Sequence, residues 1–330
     1  WAQPIAAVMI PVILIVNLIM LALNRTKTLN IDIWNYWHVS SVAATGYIVT
    51  KSFFFGILCG ILFTIIIQII ADKTAPKVQE YYGLEGISIT TGSAQGYAVL
   101  ALPVGWLVDK IPGINKLDVK PETIQKRFGI FGEPMIMGII IGMFLGLLGG
   151  YDFIGILQIG MNMGGVMFLM PRMVKILMEG LIPIQEGAQK LLQSRYGDRE
   201  IYLGMDAALA TGSPAALSTG LLMVPITLFL AVILPGNRVL PFGDLATIPF
   251  FAALVVPSRK GNILHSVISL TVVMAVALLM ATNFAPVITE MAQGIVKFPD
   301  GAAEITNLDT GGNFLKWIFL KLSELVAQVM

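Results

Sequence analysis

Long apolar runs constrain this chain more than any other feature of its sequence. The first run, Pro4–Leu23, contains no charged residue, and Ser52–Ala71, Ala215–Leu234 and Ile263–Ala285 are of similar length. A helix of about 20 apolar residues is long enough to cross the hydrocarbon core of a bilayer. The runs therefore predict an all-α polytopic membrane protein.

The composition agrees with a lipid-facing surface. Hydrophobic residues make up 56% of the chain and charged residues 12%, whereas soluble chains carry about 25% charged residues. The formal net charge of +1 argues against nucleic-acid binding, which needs a concentrated basic surface. One cysteine and two histidines leave no obvious metal site, and we expect neither a metal nor a cofactor.

Two stretches are apolar in balance but too interrupted to be simple spans. Gly83–Gly96 reads GLEGISITTGSAQG, and Leu203–Pro214 reads LGMDAALATGSP. Each contains a carboxylate followed by the tripeptide TGS. Discontinuous helices of transporters have this Gly/Pro-interrupted character, and they occur at matching positions in two repeats.

The two interrupted stretches begin longer segments that share one order of elements. That order is a carboxylate, TGS, a span, a PG turn and an FG-carboxylate. It is carried first by Glu85, Thr91–Ser93, Pro112-Gly113 and Phe131–Glu133, and then by Asp206, Thr211–Ser213, Pro235-Gly236 and Phe242–Asp244. We predict one transport domain, residues 1–330, with substrate-binding repeats at residues 84–134 and 205–257. The two breaks should face each other as re-entrant hairpins or broken helices.

Four carboxylates lie at equivalent places in these repeats. A carboxylate in an apolar segment costs about 2.5–3.5 kcal/mol on insertion scales, so it usually faces a cavity or a partner. Ionised carboxylates accept several hydroxyl hydrogen bonds, which suits a neutral polyhydroxylated ligand. The predicted substrate-binding residues are His38, Glu85, Thr91, Gly92, Ser93, Glu133, Asp206, Thr211, Ser213 and Asp244.

Structural explanations of the same residues stay open. Glu133 precedes Pro134, so it and Asp244 are also typical of acidic residues at helix starts. Glu85 and Asp206 are also compatible with span ends at the membrane interface. His38 stands in the aromatic stretch WNYWH, which is typical of an interface.

The sequence lacks the motif by which ATP-driven transporters bind nucleotide. The sequence contains no Walker-type glycine loop, which argues against ATP-driven pumping by this chain. An ion-coupled secondary transporter, with the carboxylates binding H⁺ or Na⁺, remains an alternative.

Five stretches of the chain resemble a known family. They are Asn30–His38 (NIDIWNYWH), Leu84–Ile89 (LEGISI), Gln125–Pro134 (QKRFGIFGEP), Leu169–Arg172 (LMPR) and Pro235–Ile248 (PGNRVLPFGDLATI). In these stretches the chain is similar to the galactitol-type membrane component, IIC, of the bacterial phosphoenolpyruvate-dependent sugar phosphotransferase system. The resemblance implies further membrane helices before Trp1 and after Met330.

The resemblance also implies a function. The membrane subunit binds a sugar or sugar alcohol, moves it across the bacterial plasma (inner) membrane and presents a hydroxyl for phosphorylation. A cytoplasmic IIB subunit, itself charged by IIA, donates the phosphoryl group from a phosphocysteine. The chain would thus take part in phosphoryl transfer without a cofactor of its own. We expect an elevator-type homodimer in lipid, with Glu85 or Glu133 as general base.

Cys59 provides a first test of this division of labour. It lies in the apolar stretch LCGIL with no basic neighbour, so nothing lowers its pKa to make it a nucleophile. We predict that Cys59→Ser leaves phosphorylation-coupled uptake nearly unchanged, measured with radiolabelled galactitol. Loss of phosphotransfer in a variant that folds and inserts normally would contradict the assignment of the phosphocysteine to a partner.

Overall fold

A computed structural model describes residues 2–128, 133–196, 199–296, 298 and 303–329 of the chain. The α-helices, in chain order, are α1 (Ala2–Ala22), α2 (Trp34–Thr50), α3 (Phe53–Tyr82), α4 (Gly92–Val108), α5 (Pro121–Phe128), α6 (Pro134–Leu148), α7 (Phe153–Tyr196), α8 (Pro214–Ile233), α9 (Ile248–Phe251), α10 (Val255–Ser258), α11 (Ile263–Ala292) and α12 (Phe314–Ala327). Short 3₁₀ turns lie at Ile114–Lys116, Ala207–Gly212 and Phe242–Asp244.

The predicted long spans agree with the helices of the structure. Within the described residues, α1 from Pro4, α3, α8 and α11 are long and apolar enough to cross a membrane. Side chains cap three of them. Ser52 Oγ accepts from Phe55 N–H at α3, Ser213 Oγ accepts from Ala216 N–H at α8, and Asn262 Oδ1 accepts from His265 N–H at α11. Such caps satisfy amide groups that a helix start leaves without partners.

Small residues let α6 and α7 pack closely. A methyl group added at Gly142 would lie 2.8 Å from the Ile159 carbonyl oxygen, and one at Gly164 would lie 3.0 Å from the Met135 carbonyl oxygen. Glycine at four-residue spacing is a recurrent feature of helix contacts in membranes.

Helix α7 is longer than the sequence pattern indicates. The pattern changes from an apolar stretch before residue 182 to a polar stretch after residue 184, but α7 is one continuous helix through both.

The prediction of an all-α fold requires a correction, although the described chain is mostly helical. Three short strands, β1 (Thr28–Asn30), β2 (Ile87–Ile89) and β3 (Tyr202–Met205), form a parallel sheet in the order β1–β3–β2. The register pairs Leu29 with Leu203 and Ile89 with Met205. Backbone that leaves the helical conformation away from water must find other hydrogen-bond partners, and these segments supply them to one another.

Both interrupted segments therefore differ from a straight helix. Gly83–Gly96 contains β2, a break and the start of α4, whereas Leu203–Pro214 contains β3, a 3₁₀ turn and the start of α8. Their strands are hydrogen-bonded neighbours in the sheet. That the two segments are copies of one internal repeat stays a prediction.

The central strand leaves no room for a side chain at Gly204. An added methyl would lie 2.5 Å from Thr90 Cγ2 and 2.7 Å from Thr28 Cγ2, and β-branched threonines have few rotamers with which to yield. We predict that Gly204→Ala destabilises the protein by about 1–3 kcal/mol, seen as a lower melting temperature in detergent.

Gly165→Ala is the matched control, because among the described residues no atom beyond the nearby backbone of α7 itself lies within 4 Å of the added methyl. It should leave stability unchanged or raise it slightly, since alanine favours helix. Equal melting temperatures for the two variants would contradict the packing of the sheet described here.

Candidate functional site

The carboxyl ends of the three parallel strands meet at one edge of the sheet. Asp32 follows β1, Thr91 follows β2 and Asp206 follows β3. In open parallel sheets, this edge is where ligands bind. The sheet thus brings together three polar side chains that are far apart in the sequence.

Thr91 links all three chain segments at this edge. Its hydroxyl donates to Asp32 Oδ2 at 2.8 Å and accepts from Ala207 N–H at 2.7 Å. Asp206 Oδ2 lies 3.4 Å from the same hydroxyl. Since a hydroxyl has one hydrogen to donate, the shorter contact to Asp32 takes it.

Three helices begin beside the sheet edge. Asp32 Oδ1 accepts from Trp34 N–H at 2.9 Å at the start of α2. Asn35 Oδ1 accepts from Gly92 N–H at 3.1 Å at the start of α4. Asn313, which caps α12, donates through Nδ2 to the Gly92 carbonyl oxygen at 3.0 Å. Side-chain hydrogen bonds therefore fix these helix starts relative to one another.

The segment before α12 is packed against this centre. Tyr97 Oη donates to the Leu308 carbonyl oxygen at 3.0 Å, and Leu308 N–H donates to Asp244 Oδ2 at 2.9 Å. Gly96 lies so close to Asn313 that any side chain there would overlap its amide. These contacts place Asp309 beside Asp244.

A cavity of about 680 Å³ opens between these elements. Its lining combines three carboxylates with hydroxyl, amide, imidazole and aromatic groups. The lining residues are Trp34, Trp37, His38, Thr91, Ser93, Asp206, Ala208, Asp244, Thr247, Phe250, Asn307 and Asp309. A pocket of this size holds a small ligand and presents several convergent polar groups to it.

The first turn of α2 presents one face to the cavity. Trp34, Trp37 and His38 are three and four residues apart, so they lie on the same side of the helix. The two tryptophans are more than half exposed, whereas His38 is buried. The aromatic side chains therefore stand at the open part of the cavity and His38 stands at its wall.

Asp32 at the sheet edge, and Asp206 and Asp244 at the cavity, lie in connections outside the spanning helices. Burial, with a contribution from Asp206, raises the pKa of Asp32 to about 7. Burial also raises the pKa of Asp206, and it raises the pKa of Asp244 to about 6. Desolvation has this direction because it penalises the charged form of a carboxyl group.

The structure brings together half of the predicted substrate-binding residues. His38, Thr91, Ser93, Asp206 and Asp244 all line the cavity. Gly92 lies directly behind it, because a methyl added there would be 3.0 Å from His38 Cβ. For these residues a role in binding stays a prediction, now with a shared location.

The other predicted residues lie elsewhere among the described parts of the chain. Glu85 is exposed in the turn before β2, and Glu133 is exposed at the start of α6. Thr211 donates to the Ala208 carbonyl oxygen, and Ser213 caps α8. None of the four is among the cavity-lining residues, so the catalytic roles predicted for Glu85 and Glu133 stay predictions that the geometry does not favour.

Several side chains at this site are not singled out by any of the sequence patterns described above. Asp32, Asp309 and Lys316 are not among the residues predicted from the sequence, because none of them belongs to the two segments that share one order of elements. A signal was present, because Thr310-Gly311-Gly312 precedes α12 much as the TGS tripeptides precede α4 and α8. A search for TG before each helix would have included Asp309.

Comparisons with known proteins agree on one family. The model of the EIIC-GAT family, described as the sugar-specific permease component of the phosphotransferase system (PTS), matches residues 1–301. The galactitol-specific EIIC component of the PTS from Escherichia coli K12 is 36% identical over 322 residues, covering 98% of this chain and 71% of that protein. A putative permease IIC component from the same strain is 40% identical over 330 residues, covering 98% of this chain and 74% of that protein.

The family model covers all three strands and the four long apolar helices, and each of these relatives covers 98% of the chain. The long apolar helices fit a membrane protein of that kind. The chain belongs to the galactitol-type EIIC family, the sugar-specific permease components of the phosphotransferase system.

Proposed function

We propose that this chain binds galactitol or a closely related polyol in the central cavity and presents one hydroxyl for phosphorylation. The observation that carries the proposal is the convergence of Asp206, Asp244 and Asp309 on one cavity. A polyol offers a hydrogen-bond donor at every carbon, and each ionised carboxylate accepts several such bonds. A relative that matches 98% of the chain is named as galactitol-specific.

The charge of the cavity also distinguishes substrate from product. A neutral polyol brings no charge to a site lined by three carboxylates. A sugar phosphate carries negative charge, and like charges close together in a poorly solvated site repel strongly. Phosphorylation in the cavity would therefore expel the product.

We propose that the phosphoryl donor is a phosphocysteine on a cytoplasmic IIB subunit, which IIA recharges. In the transfer, the polyol oxygen forms the new P–O bond while the S–P bond of the phosphocysteine breaks. The hydroxyl proton must pass to a base as the bond forms. We propose a carboxylate of the cavity for this role, because Glu85 and Glu133 do not line the cavity.

Asp244 is the best candidate for the base. Its carboxylate is held by the backbone N–H groups of Leu308 and Asp309, and it lines the cavity. Burial raises its pKa to about 6, and a general base is most effective when its pKa lies near the working pH. Asp206 receives a hydrogen bond from Ala208 N–H at 2.6 Å and suits binding.

We further propose the mode of transport expected from the sequence. The segments 84–134 and 205–257 would act as paired repeats in an elevator-type homodimer of the bacterial inner membrane. Support comes from the pairing of β2 with β3 and from the helix starts at Gly92 and Pro214. Substrate sites of repeat transporters typically lie where such broken segments meet.

The product of uptake tests phosphotransfer against ion coupling. In vesicles that contain the chain with its IIA and IIB partners and phosphoenolpyruvate, we predict that labelled galactitol accumulates as galactitol phosphate. Family membership does not support ion-coupled transport, in which free galactitol would accumulate and uptake would follow an H⁺ or Na⁺ gradient. Accumulation of free galactitol would contradict the proposed function.

Amide substitutions test the two aspartate roles separately. Asp206→Asn should weaken galactitol binding about tenfold or more, because charge-assisted hydrogen bonds contribute about 1.5–3 kcal/mol each. Asp244→Asn should largely spare binding and slow phosphotransfer. In the unmodified chain, transfer should fall as the pH drops through about 6, since a protonated Asp244 no longer accepts the proton. Calorimetric binding and single-turnover transfer measure the two effects.

The matched control is Asp118→Asn, which removes a carboxylate from an exposed loop and should change neither quantity. Glu85→Gln and Glu133→Gln measure the roles first predicted for those residues. Normal binding and transfer in both aspartate variants, with a loss in either glutamate variant, would move the site away from the cavity.

A further inference from the structure

Lys316 is a fully buried cation beside the cavity. It lies on α12, and its side chain has no solvent exposure. Its ammonium group lies 3.1 Å from His38 Nδ1, 3.3 Å from Thr310 Oγ1 and 3.9 Å from Asp309 Oδ2. The first two contacts are hydrogen bonds, whereas the contact with Asp309 is an ion pair beyond hydrogen-bond distance.

The contact with Lys316 decides which nitrogen of His38 carries the proton. An ammonium group donates and does not accept, so His38 Nδ1 must accept and carries no hydrogen. A neutral imidazole with a bare Nδ1 has its hydrogen on Nε2. Among the described residues, no side chain or backbone group hydrogen-bonds to Nε2. This nitrogen is not fully enclosed by protein, so its hydrogen is open to a ligand.

The same lysine acts on the neighbouring carboxylate. Asp309 Oδ2 lies 3.9 Å from the ammonium and 3.5 Å from His38 Nδ1. The side chain of Asp309 is 21% exposed, and both Asp309 and His38 line the cavity. An opposite charge at this distance favours the ionised form of a carboxyl group.

We propose that Lys316 is a positioning residue for the polyol. It holds His38 as a neutral Nε2–H donor and Asp309 as an ionised acceptor, so the wall of the cavity presents a donor beside an acceptor. A sugar hydroxyl both accepts and donates, and this pair satisfies both functions at once. Lys316 itself does not touch the ligand. The role in binding rests on the proposed function, whereas the tautomer of His38 does not.

The first experiment is ¹⁵N NMR of the histidine-labelled full-length protein in lipid nanodiscs. The His38 signal is assigned by difference against His38→Gln. We expect the neutral tautomer with hydrogen on Nε2. In Lys316→Met the donor to Nδ1 is gone and Asp309 remains, so the hydrogen should shift toward Nδ1 or the ring should become protonated. A hydrogen on Nδ1 in the unmodified protein would overturn the proposal.

The second experiment measures galactitol affinity by calorimetry. Lys316→Met should weaken binding on the order of tenfold or more, the effect of losing one charge-assisted hydrogen bond. The matched control is Lys321→Met, which removes a more exposed lysine paired with Glu324 on the same helix. It should change neither the tautomer nor the affinity. Unchanged affinity in Lys316→Met would overturn the positioning role.

Removal of Lys316 alone leaves Asp309 without its cation, and the variant can fail to fold for that reason. The double variant Asp309→Asn/Lys316→Met removes both charges and should fold while still losing affinity. If the unmodified protein binds no galactitol, the proposed function fails, and the NMR result still decides the tautomer. If the unmodified protein binds and the folded double variant binds equally well, the positioning role fails, and so does the role of Asp309 as an acceptor for the polyol.

Discussion

The hydroxyl of Thr91 is the interaction on which the centre of this protein depends. It donates to Asp32 and accepts from Ala207 N–H, so one side chain joins the ends of all three strands. Those strands are only three or four residues long and lie among apolar helices, where water cannot replace a lost backbone partner. The hydrogen bonds between the strands satisfy the backbone where the helical segments are interrupted before α4 and α8. These interruptions in turn create a polar cavity among apolar helices.

The cavity follows from the same arrangement. Parallel strands end at one edge, and the helices α2 and α4 start immediately beyond it. Residues 307–309, which precede α12, complete the wall through Asp244 and Tyr97. On the proposed function, this arrangement supplies acceptors for a neutral polyol and repels the phosphorylated product. Lys316, which is buried behind the cavity wall, would stabilise the ionised form of Asp309 and determine the tautomer of His38 without contacting the ligand.

Particular residues show what the sequence could and could not predict. Uncharged apolar runs of sufficient length define spanning helices locally, so the runs at Pro4 and Ile263 could be read directly. The strands are too short to show an alternating pattern, and only pairing with distant segments makes them strands. Glu85 and Asp206 look equivalent in sequence, yet Glu85 is exposed and Asp206 lines the cavity, because only Asp206 directly follows its strand at the shared edge. The contact of Lys316 with His38 arises only when α12 packs against α2.

The most direct test of the central claim is the position of a bound polyol. We would determine the structure of the protein with galactitol by electron cryo-microscopy in nanodiscs. The account predicts density for the ligand between Asp206, Asp244 and Asp309, within hydrogen-bond distance of at least two of these carboxylates. Density beside Glu85 or Glu133, with the central cavity holding only solvent, would contradict it.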